Sequence, residues 1–193
     1  SDLTSNNHDF TFASPPSYTA SPGYFNLSSN QATNSDTISI TRGAVEMWIK
    51  WDPAAASTRP LVVSDGSNWF AIGNATSHLT NESMEYYTGV AATMDYLNGH
   101  FLFKTGDWFQ LVAVIDGAAN TLYVDGAAVG THFRHGNALS TGLWNGSSAR
   151  VGTSVGTHYY DGDIAILRIY DVASFTAADV LQNWEAQRAR FGK

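Results

Sequence analysis

The chain contains no cysteine, few charged residues and no long apolar run. Cysteine is absent from its 193 residues, and Asp, Glu, Lys and Arg together make up 14% of them. Without cysteine there is neither a disulfide framework nor a thiolate metal site. No segment approaches the roughly 18 consecutive apolar residues of a membrane-spanning helix, and residues 1–10 lack the basic and apolar regions of a secretory leader. We therefore predict no membrane insertion.

Basic residues are also scarce. Ten Lys and Arg stand against 17 Asp and Glu, which gives a formal net charge of −7. The basic residues form no cluster, so the chain lacks the electrostatic footprint of a protein that binds phosphate backbones. The charge pattern therefore excludes nucleic acid as the expected partner.

Aromatic residues and glycine are abundant instead. Phe, Trp and Tyr make up 13% of the chain, and there are 17 glycines. Aromatic residues fit a pleated strand surface, while Gly, Asn and Asp supply turns. This composition and the length predict a single all-β domain over residues 1–193.

Alternating apolar residues predict a series of strands. Residues 1–40 predict short edge strands and loops, with a turn at residues 21–23. In residues 44–51 Val45, Met47, Ile49 and Trp51 alternate with Ala44, Glu46, Trp48 and Lys50. Residues 108–115 are apolar on both faces except at Gln110, as expected of a covered central strand. Further strands are predicted at 69–73, 84–87, 100–103, 120–124 and 160–171, with an Asp-Gly hairpin turn at 125–126.

The last segment changes to a helical period. Thr176 and Asp179 have the spacing of a capping box, which predicts a terminal helix over 176–190. Val180, Leu181, Trp184 and Phe191 are predicted to form its apolar stripe. Many strands and one terminal helix, without alternation of the two, predict a two-sheet antiparallel sandwich.

Five segments, in this order, resemble the laminin G-like branch of the concanavalin A-like lectin/glucanase superfamily, in its bacterial or phage form. They are AVEMWIK (44–50), DWFQLVAVIDG (107–117), LYVDG (122–126), RVG (150–152) and DGDIAILRIYD (161–171). The resemblance implies a concanavalin A-like jelly roll of two curved sheets that binds carbohydrate or protein, often with Ca²⁺. It also implies some glycosidase or lyase relatives, among which fold alone does not choose.

The glutamates give weak support for catalysis. A glycosidase needs two carboxylates flanking the bond, and the chain has only Glu46, Glu82, Glu85 and Glu185. The segment at 82–87 lacks the central Asp of the laminarinase-like pattern, and its two glutamates are an odd number of residues apart. A regular strand would place them on opposite faces, although Glu46 could meet Glu85 across strands. We therefore expect no enzymatic activity.

Calcium is the favoured metal because it takes oxygen ligands from flexible loops. Two Asp-Gly loops have suitable chemistry, and each is equally explained as a turn. The candidate ligands are Asp65, Asn68, Asp161 and Asp163.

Aromatic residues beside neutral polar residues favour a sugar ligand. A sugar ring offers a C–H face to an aromatic ring and hydroxyls to amide or imidazole groups. Trp69, Tyr86, Tyr87 and Tyr159 are the predicted stacking platforms, and Asn68, Asn98, His100 and His158 the predicted polar partners. Core or rim packing is the competing interpretation for each ring, and Trp48 is a further candidate on the concave face.

These observations predict a non-catalytic carbohydrate-binding or adhesion module, lectin-like, located extracellularly or on a virion surface. One alternative is a structural or protein-interaction module of a phage or virus particle, as a homo-oligomer or within a larger assembly. The other is a polysaccharide-cleaving glycosidase or lyase.

Overall fold

The structure is a computed structural model. It describes residues 11–12, 14–27, 32–34, 38–40, 42–51, 61–64, 69–73, 83–87, 94–97, 106–116, 119–129, 144–146, 149–152 and 162–193. Within these ranges no helix is long and apolar enough to cross a bilayer.

The described residues form sixteen strands followed by one helix, α1 (Ala177–Gln187), and a 3₁₀ turn (Arg188–Phe191). The strands are β1 (Thr11–Phe12), β2 (Ser17–Thr19), β3 (Tyr24–Asn26), β4 (Ala32–Asn34), β5 (Ile38–Ile40), β6 (Arg42–Trp51), β7 (Leu61–Ser64), β8 (Trp69–Gly73), β9 (Ser83–Tyr87), β10 (Met94–Leu97), β11 (Trp108–Asp116), β12 (Ala119–Val124), β13 (Ala127–Val129), β14 (Trp144–Gly146), β15 (Ala149–Val151) and β16 (Gly162–Asp171).

The strands form two layers of a jelly-roll sandwich. One layer is a seven-stranded antiparallel sheet in the order β13-β12-β11-β6-β16-β3-β2. The other combines a three-stranded sheet, β1-β4-β15, with a four-stranded sheet, β10-β9-β8-β7. Their terminal strands β15 and β7 contact each other, so the two sheets continue one another. A separate pair, β14 and β5, completes the described strands.

Most of the predicted strands are confirmed. The predictions for residues 44–51, 69–73, 84–87, 108–115, 120–124 and 160–171 correspond to β6, β8, β9, β11, β12 and β16. The predicted strand at 100–103 lies outside the described residues. Strand β10 was not predicted, because Met94–Leu97 carries an Asp and is too short for a clear period.

The Asp-Gly hairpin is confirmed, and its glycine has a second role. Asp125 and Gly126 have φ values of 49° and 79°, as a type I′ turn requires. A Cβ atom added at Gly126 would lie 2.8 Å from Cδ1 of Trp184. The turn therefore needs glycine both for its backbone and to admit an indole from α1.

Both faces of β6 are buried, whereas alternation predicted that one face would carry charges. Val45, Met47 and Ile49 form one buried face, which faces the other layer. The opposite face carries Ala44, Glu46 and Trp48, and it is also buried because α1 and the 3₁₀ turn lie against it. Val180 packs with Ala44, Val112, Val114 and Tyr123 in one apolar cluster.

The terminal helix begins where the sequence predicts. The Thr176 side chain accepts a hydrogen bond from the Asp179 N–H, and the Asp179 carboxylate accepts one from the Thr176 N–H, which completes the capping box. The α-helix ends at Gln187 rather than Arg190. Leu181 is 50% exposed and was wrongly placed in the buried stripe, because it lies about 100° around the helix from Val180.

A bulge interrupts the alternation of β16. In a regular strand Ile164 and Ile166 would lie on one face, but Ile164 pairs with Ile49 and Ile166 pairs with Trp48. Since Ile49 and Trp48 lie on opposite faces of β6, so do the two isoleucines. The extra residue, Ala165, shifts the phase of the strand.

A buried carboxylate joins α1 to the large sheet. Glu46 is 0% exposed. Its Oε1 accepts a hydrogen bond from Gln110 Nε2 at 2.9 Å, and its Oε2 accepts hydrogen bonds at 2.9 Å from Tyr170 Oη and Asn183 Nδ2. Arg168 Nη1 lies 3.3 Å from the same Oε2 and forms an ion pair with it. The donors come from β11, β16 and α1, so one side chain ties three elements to β6.

Replacement of Glu46 will test this connection. In Glu46→Ala the Arg168 charge and three polar groups lose their common partner, and loss of one member of a buried pair costs about 3–5 kcal/mol. Because Arg168 is partly exposed, we expect the free energy of unfolding to fall by about 2–4 kcal/mol in denaturant titration. The matched control is Glu185→Ala, which removes an exposed carboxylate paired with Arg188 and should cost less than about 1 kcal/mol. Equal losses in the two variants would contradict the assigned role.

The same network predicts a dependence on alkaline pH. Burial, the negative charge of Glu46 and the hydrogen bond to Glu46 raise the pKa of Tyr170 above its ordinary value of 10.0. The protonated Tyr170 hydroxyl therefore makes its full contribution to stability below pH 10. As the pH rises from 10 through the folded-state pKa, this contribution is lost by up to about 1.4 kcal/mol per pH unit.

The free energy of unfolding, measured from pH 9 to pH 11, should accordingly decline less steeply in Tyr170→Phe than in the unmodified chain. Tyr18→Phe, at a tyrosine that is 60% exposed, is the control and should leave the decline unchanged. Identical pH profiles for the unmodified chain and Tyr170→Phe would refute the prediction.

Candidate functional site

The pairing register of β8, β9 and β10 assigns their positions to two faces. Paired positions on neighbouring antiparallel strands share a face, and successive positions alternate. One face therefore carries the rows Trp69–Tyr87–Met94 and Ala71–Glu85–Tyr96, and the row Gly73–Ser83. The other face carries the rows Phe70–Tyr86–Asp95 and Ile72–Met84–Leu97.

The two faces differ in composition. Phe70, Ile72, Met84 and Leu97 belong to one face together with Tyr86 and Asp95. Trp69, Tyr87 and Tyr96 belong to the other face together with Met94 and Glu85. Because the apolar positions of a sandwich strand face the other layer, the pattern favours the face with Trp69, Tyr87 and Tyr96 as the outer face of the four-stranded sheet.

The register brings together two of the predicted stacking residues and separates the third. Trp69 pairs directly with Tyr87 at one end of the sheet. Position 86 shares its face with Phe70 and Asp95, so Tyr86 does not belong to the same surface. Tyr96 belongs to that surface but was not among the predicted site residues, because only the pairing of β9 with β10 places it beside Glu85.

For several of the predicted polar partners, only their position in the sequence relates them to this surface. Asn68 immediately precedes Trp69, and the connection 65–68 joins the end of β7 to the start of β8. Asn98 and His100 instead follow Leu97, which pairs with Met84 at the opposite end of the sheet. The residues predicted from sequence that lie outside the described ranges are Asp65, Asn68, Asn98, His100, His158, Tyr159 and Asp161.

Asp163 is the one predicted calcium ligand among the described residues. Its Oδ2 lies 2.6 Å from Lys50 Nζ, and its Oδ1 accepts a hydrogen bond from Asn26 Nδ2 at 2.8 Å. The carboxylate is buried, and both oxygens are used within the protein. Both oxygens thus serve an ion pair and a hydrogen bond within the protein. A calcium site at Asp65, Asn68, Asp161 and Asp163 stays a prediction.

The Lys50 ammonium has a second set of contacts. It lies 5.1 Å from the ring centre of Tyr24 and 5.4 Å from that of Trp108. The two rings are themselves in edge-to-face contact at 5.3 Å. Lys50 is thus held by Asp163 and two aromatic rings.

The described glutamates do not assemble a pair of catalytic carboxylates. Strand β6 lies between β11 and β16, so Glu46 does not meet Glu85 of β9 across adjacent strands as the sequence allowed. Glu46 is instead covered by α1 and fully hydrogen bonded. Glu185 is exposed on α1 and lies 2.6 Å from Arg188. Glu82 lies outside the described residues.

Trp48 is not part of an open binding face. Its ring stacks on Trp184 at 5.2 Å and on Phe191 at 4.2 Å between ring centres. The side chain is fully buried beneath the terminal helix and the 3₁₀ turn. The prediction that it lies on a concave ligand face is therefore wrong, since the sequence did not reveal which strand face the helix covers.

A second aromatic group is exposed and was missed from sequence. Tyr18 is 60% exposed and Phe25 is 41% exposed. The two rings are 5.1 Å apart, and Phe12 lies 5.7 Å from Phe25. The sequence feature that could have indicated this group is the composition around it, because residues 10–35 contain no charged side chain.

Comparison with solved structures supports the same architecture. Domain 4 of AbnA, a GH43 extracellular arabinanase from Geobacillus stearothermophilus in complex with arabinotriose, aligns with a TM-score of 0.67 and 18% identity over 94% of this chain and 90% of that one. The botulinum neurotoxin type G receptor binding domain aligns with a TM-score of 0.61 and 13% identity over 95% of this chain, which spans 48% of that domain.

A native heptameric SAP-like pentraxin from Limulus polyphemus aligns with a TM-score of 0.54 and 14% identity, over 90% of this chain and 81% of that one. At these identities the likeness shows the fold alone. A search among curated protein sequences returns no significant match.

The family assignment rests on a sequence model. The Laminin_G_3 model, described as concanavalin A-like lectin/glucanases superfamily, matches residues 21–181, which is most of the chain. The matched range runs from the turn before β3 into α1 and includes both layers of the sandwich. The chain therefore belongs to the Laminin_G_3 family of the concanavalin A-like lectin/glucanases superfamily.

Proposed function

We propose that the chain is a non-catalytic carbohydrate-binding module whose binding surface is the outer face of the four-stranded sheet. The observation that carries this proposal is the register that puts Trp69 beside Tyr87, with Tyr96 in the next row. Aromatic residues that the core does not require are the groups that pack against the C–H face of a sugar ring.

The polar positions of the same face suit the rest of a sugar. Glu85 pairs with Tyr96 and Ala71, and Ser83 pairs with Gly73. A carboxylate and hydroxyls accept or donate hydrogen bonds to ligand hydroxyls at the edge of a stacked ring. Positions 71 and 73 of the same face carry the small residues Ala and Gly, which suits a flat ligand along the strands.

The large sheet supports the non-catalytic part of the proposal. Around Glu46 its outer face is covered by α1, and this buried carboxylate is used to hold that helix. A glycosidase needs two carboxyl groups about 5–9.5 Å apart around a bond that both can reach. Glu46 is buried and hydrogen bonded within the protein, and Glu185 is paired with Arg188, which supports a non-catalytic role.

The likeness to domain 4 of AbnA suggests which ligand to test first. That domain is in complex with arabinotriose, and this chain covers 90% of it. Arabinose oligosaccharides are therefore a sensible start for a panel of neutral oligosaccharides and polysaccharides. The proposal itself is for neutral glycans, because the three aromatic positions select for a C–H face and not for a particular sugar.

Substitution at Trp69 and Tyr87 tests the proposal. We expect Trp69→Ala and Tyr87→Ala each to weaken binding by about tenfold or more, equivalent to about 1.4 kcal/mol, in affinity gels or isothermal titration with the best ligand of the panel. Trp69→Phe and Tyr87→Phe keep a ring at each position and should retain most of the affinity.

Circular dichroism and thermal melting provide the folding control for each variant. Binding that survives both alanine substitutions would eliminate this surface as the site. Release of reducing sugar or of unsaturated products from any polysaccharide of the panel would overturn the non-catalytic assignment.

A further inference from the structure

We infer that the chain carries a second surface for neutral carbohydrate, formed by Tyr18, Phe25 and Phe12 at the edge of the sandwich. These three residues are called the edge aromatic group below. The inference goes beyond the proposed function, because it concerns other strands and does not require the surface at Trp69 and Tyr87.

Among the described strands, the edge aromatic group lies where the terminal strands of the two layers meet. Strand β2 is the last strand of the seven-stranded sheet, and β1 is the last strand of the three-stranded sheet. Tyr18 of β2 pairs with Phe25 of β3, which brings their rings to 5.1 Å. Phe12 of β1 contacts Phe25 from the other layer at 5.7 Å. The rings thus form a continuous apolar strip that the core does not cover.

The segment that forms this strip carries no charge of its own. Residues 10–35 contain no Asp, Glu, Lys, Arg or His, although the whole chain carries 27 Asp, Glu, Lys and Arg residues. The polar groups beside the rings are the Tyr18 hydroxyl and the exposed Arg190 guanidinium, which both lie close to Gly23. Arg190 is already hydrogen bonded to the Pro22 and Gly23 carbonyls. A neutral sugar, with a C–H face for the rings and hydroxyls for these polar groups, matches this surface.

The size of the exposed area argues against a second copy of the chain as the occupant. At about 200 Å² for a whole aromatic side chain, the exposed fractions of Tyr18 and Phe25 amount to roughly 200 Å² in total. A stable interface between two proteins buries about 800 Å² on each partner. The edge aromatic group suits one or two sugar rings and falls short of a dimer interface.

The strand that carries Tyr18 also resists pairing with a strand of another protein. Strand β2 has only three residues, Ser17–Thr19, and Pro15 and Pro16 precede it while Pro22 follows it. Proline has no N–H to donate to an added strand, and short edge strands near proline disfavour sheet extension. The exposed ring of Tyr18 is therefore presented without an adjacent docking edge for protein.

The position of the group is fixed before any ligand binds. Arg190 donates hydrogen bonds from Nε to the Pro22 carbonyl at 2.6 Å and from Nη2 to the Gly23 carbonyl at 2.9 Å. These bonds anchor the turn between β2 and β3 to the end of the chain. Tyr18 packs against Phe25 on the adjacent strand of the same hairpin. An anchored hairpin loses less entropy than a mobile one when a ligand stacks on its rings.

The decisive experiment combines substitution with an amide NMR titration. A neutral oligosaccharide selected from the panel is titrated into ¹⁵N-labelled chain, and saturable shifts are expected at residues 17–19 and 24–26. Tyr18→Ala should remove these shifts and weaken polysaccharide retention in affinity gels by about threefold to tenfold. Tyr18→Phe should retain them, and Leu181→Ala, at an apolar residue of α1 that is 50% exposed, should change nothing.

The Trp69→Ala/Tyr87→Ala double variant separates the two proposals. It should retain weak oligosaccharide binding, and this binding should disappear when Tyr18→Ala is added. If the double variant binds normally but Tyr18→Ala does not bind, the function proposed for the four-stranded sheet fails and the edge site stands. If residues 17–19 and 24–26 show no shift at saturating oligosaccharide, or if the chain sediments as a dimer that Tyr18→Ala dissociates, the edge site is refuted.

Discussion

The carboxylate of Glu46 is the interaction on which the arrangement of the large sheet depends. A charge at 0% exposure must be compensated within the protein, and its partners come from β11, β16 and α1. The ion pair with Arg168 need not add net stability, because desolvation offsets the Coulomb attraction. The network instead fixes the position of α1, because Asn183 reaches Glu46 only when the helix lies in one register over β6. The buried polar group thus specifies where the helix docks, and apolar burial around it supplies most of the stabilisation.

The docked helix divides the aromatic residues of the chain into two classes. Trp48, Trp184 and Phe191 stack on one another beneath the 3₁₀ turn, and Trp108 contacts Phe191 at 4.9 Å. These rings are used for packing and are closed to ligands. The part of the large sheet beneath α1 and the 3₁₀ turn is therefore covered by the protein itself. The composition does not reveal which rings the helix covers, so only the docked helix separates these packed rings from the rings of the two proposed surfaces.

Local signals made the fold predictable, and nonlocal ones limited the prediction of the site. The period of β11, the Asp-Gly turn and the capping box at Thr176 depend on neighbours within a few residues. The burial of Trp48 depends on Trp184, which lies far along the chain, and the phase of β16 depends on a bulge at Ala165 that no local preference announces. In the same way Tyr86 and Tyr87 are equivalent in sequence, and only the pairing with β8 and β10 assigns them to different faces.

The geometry of the layer also constrains how the two proposed surfaces can act together. From β1 the layer runs through β4, β15, β7 and β8 to β9, and neighbouring strands lie about 4.8 Å apart, so β1 and β9 are separated by roughly 24 Å along it. A mono- or disaccharide cannot contact both surfaces at this separation. A polymer can do so, and the second contact then occurs at the high effective concentration set by the chain that links the two bound segments. Two weak surfaces on one sandwich would therefore favour long glycans over short ones without any stronger contact at either place.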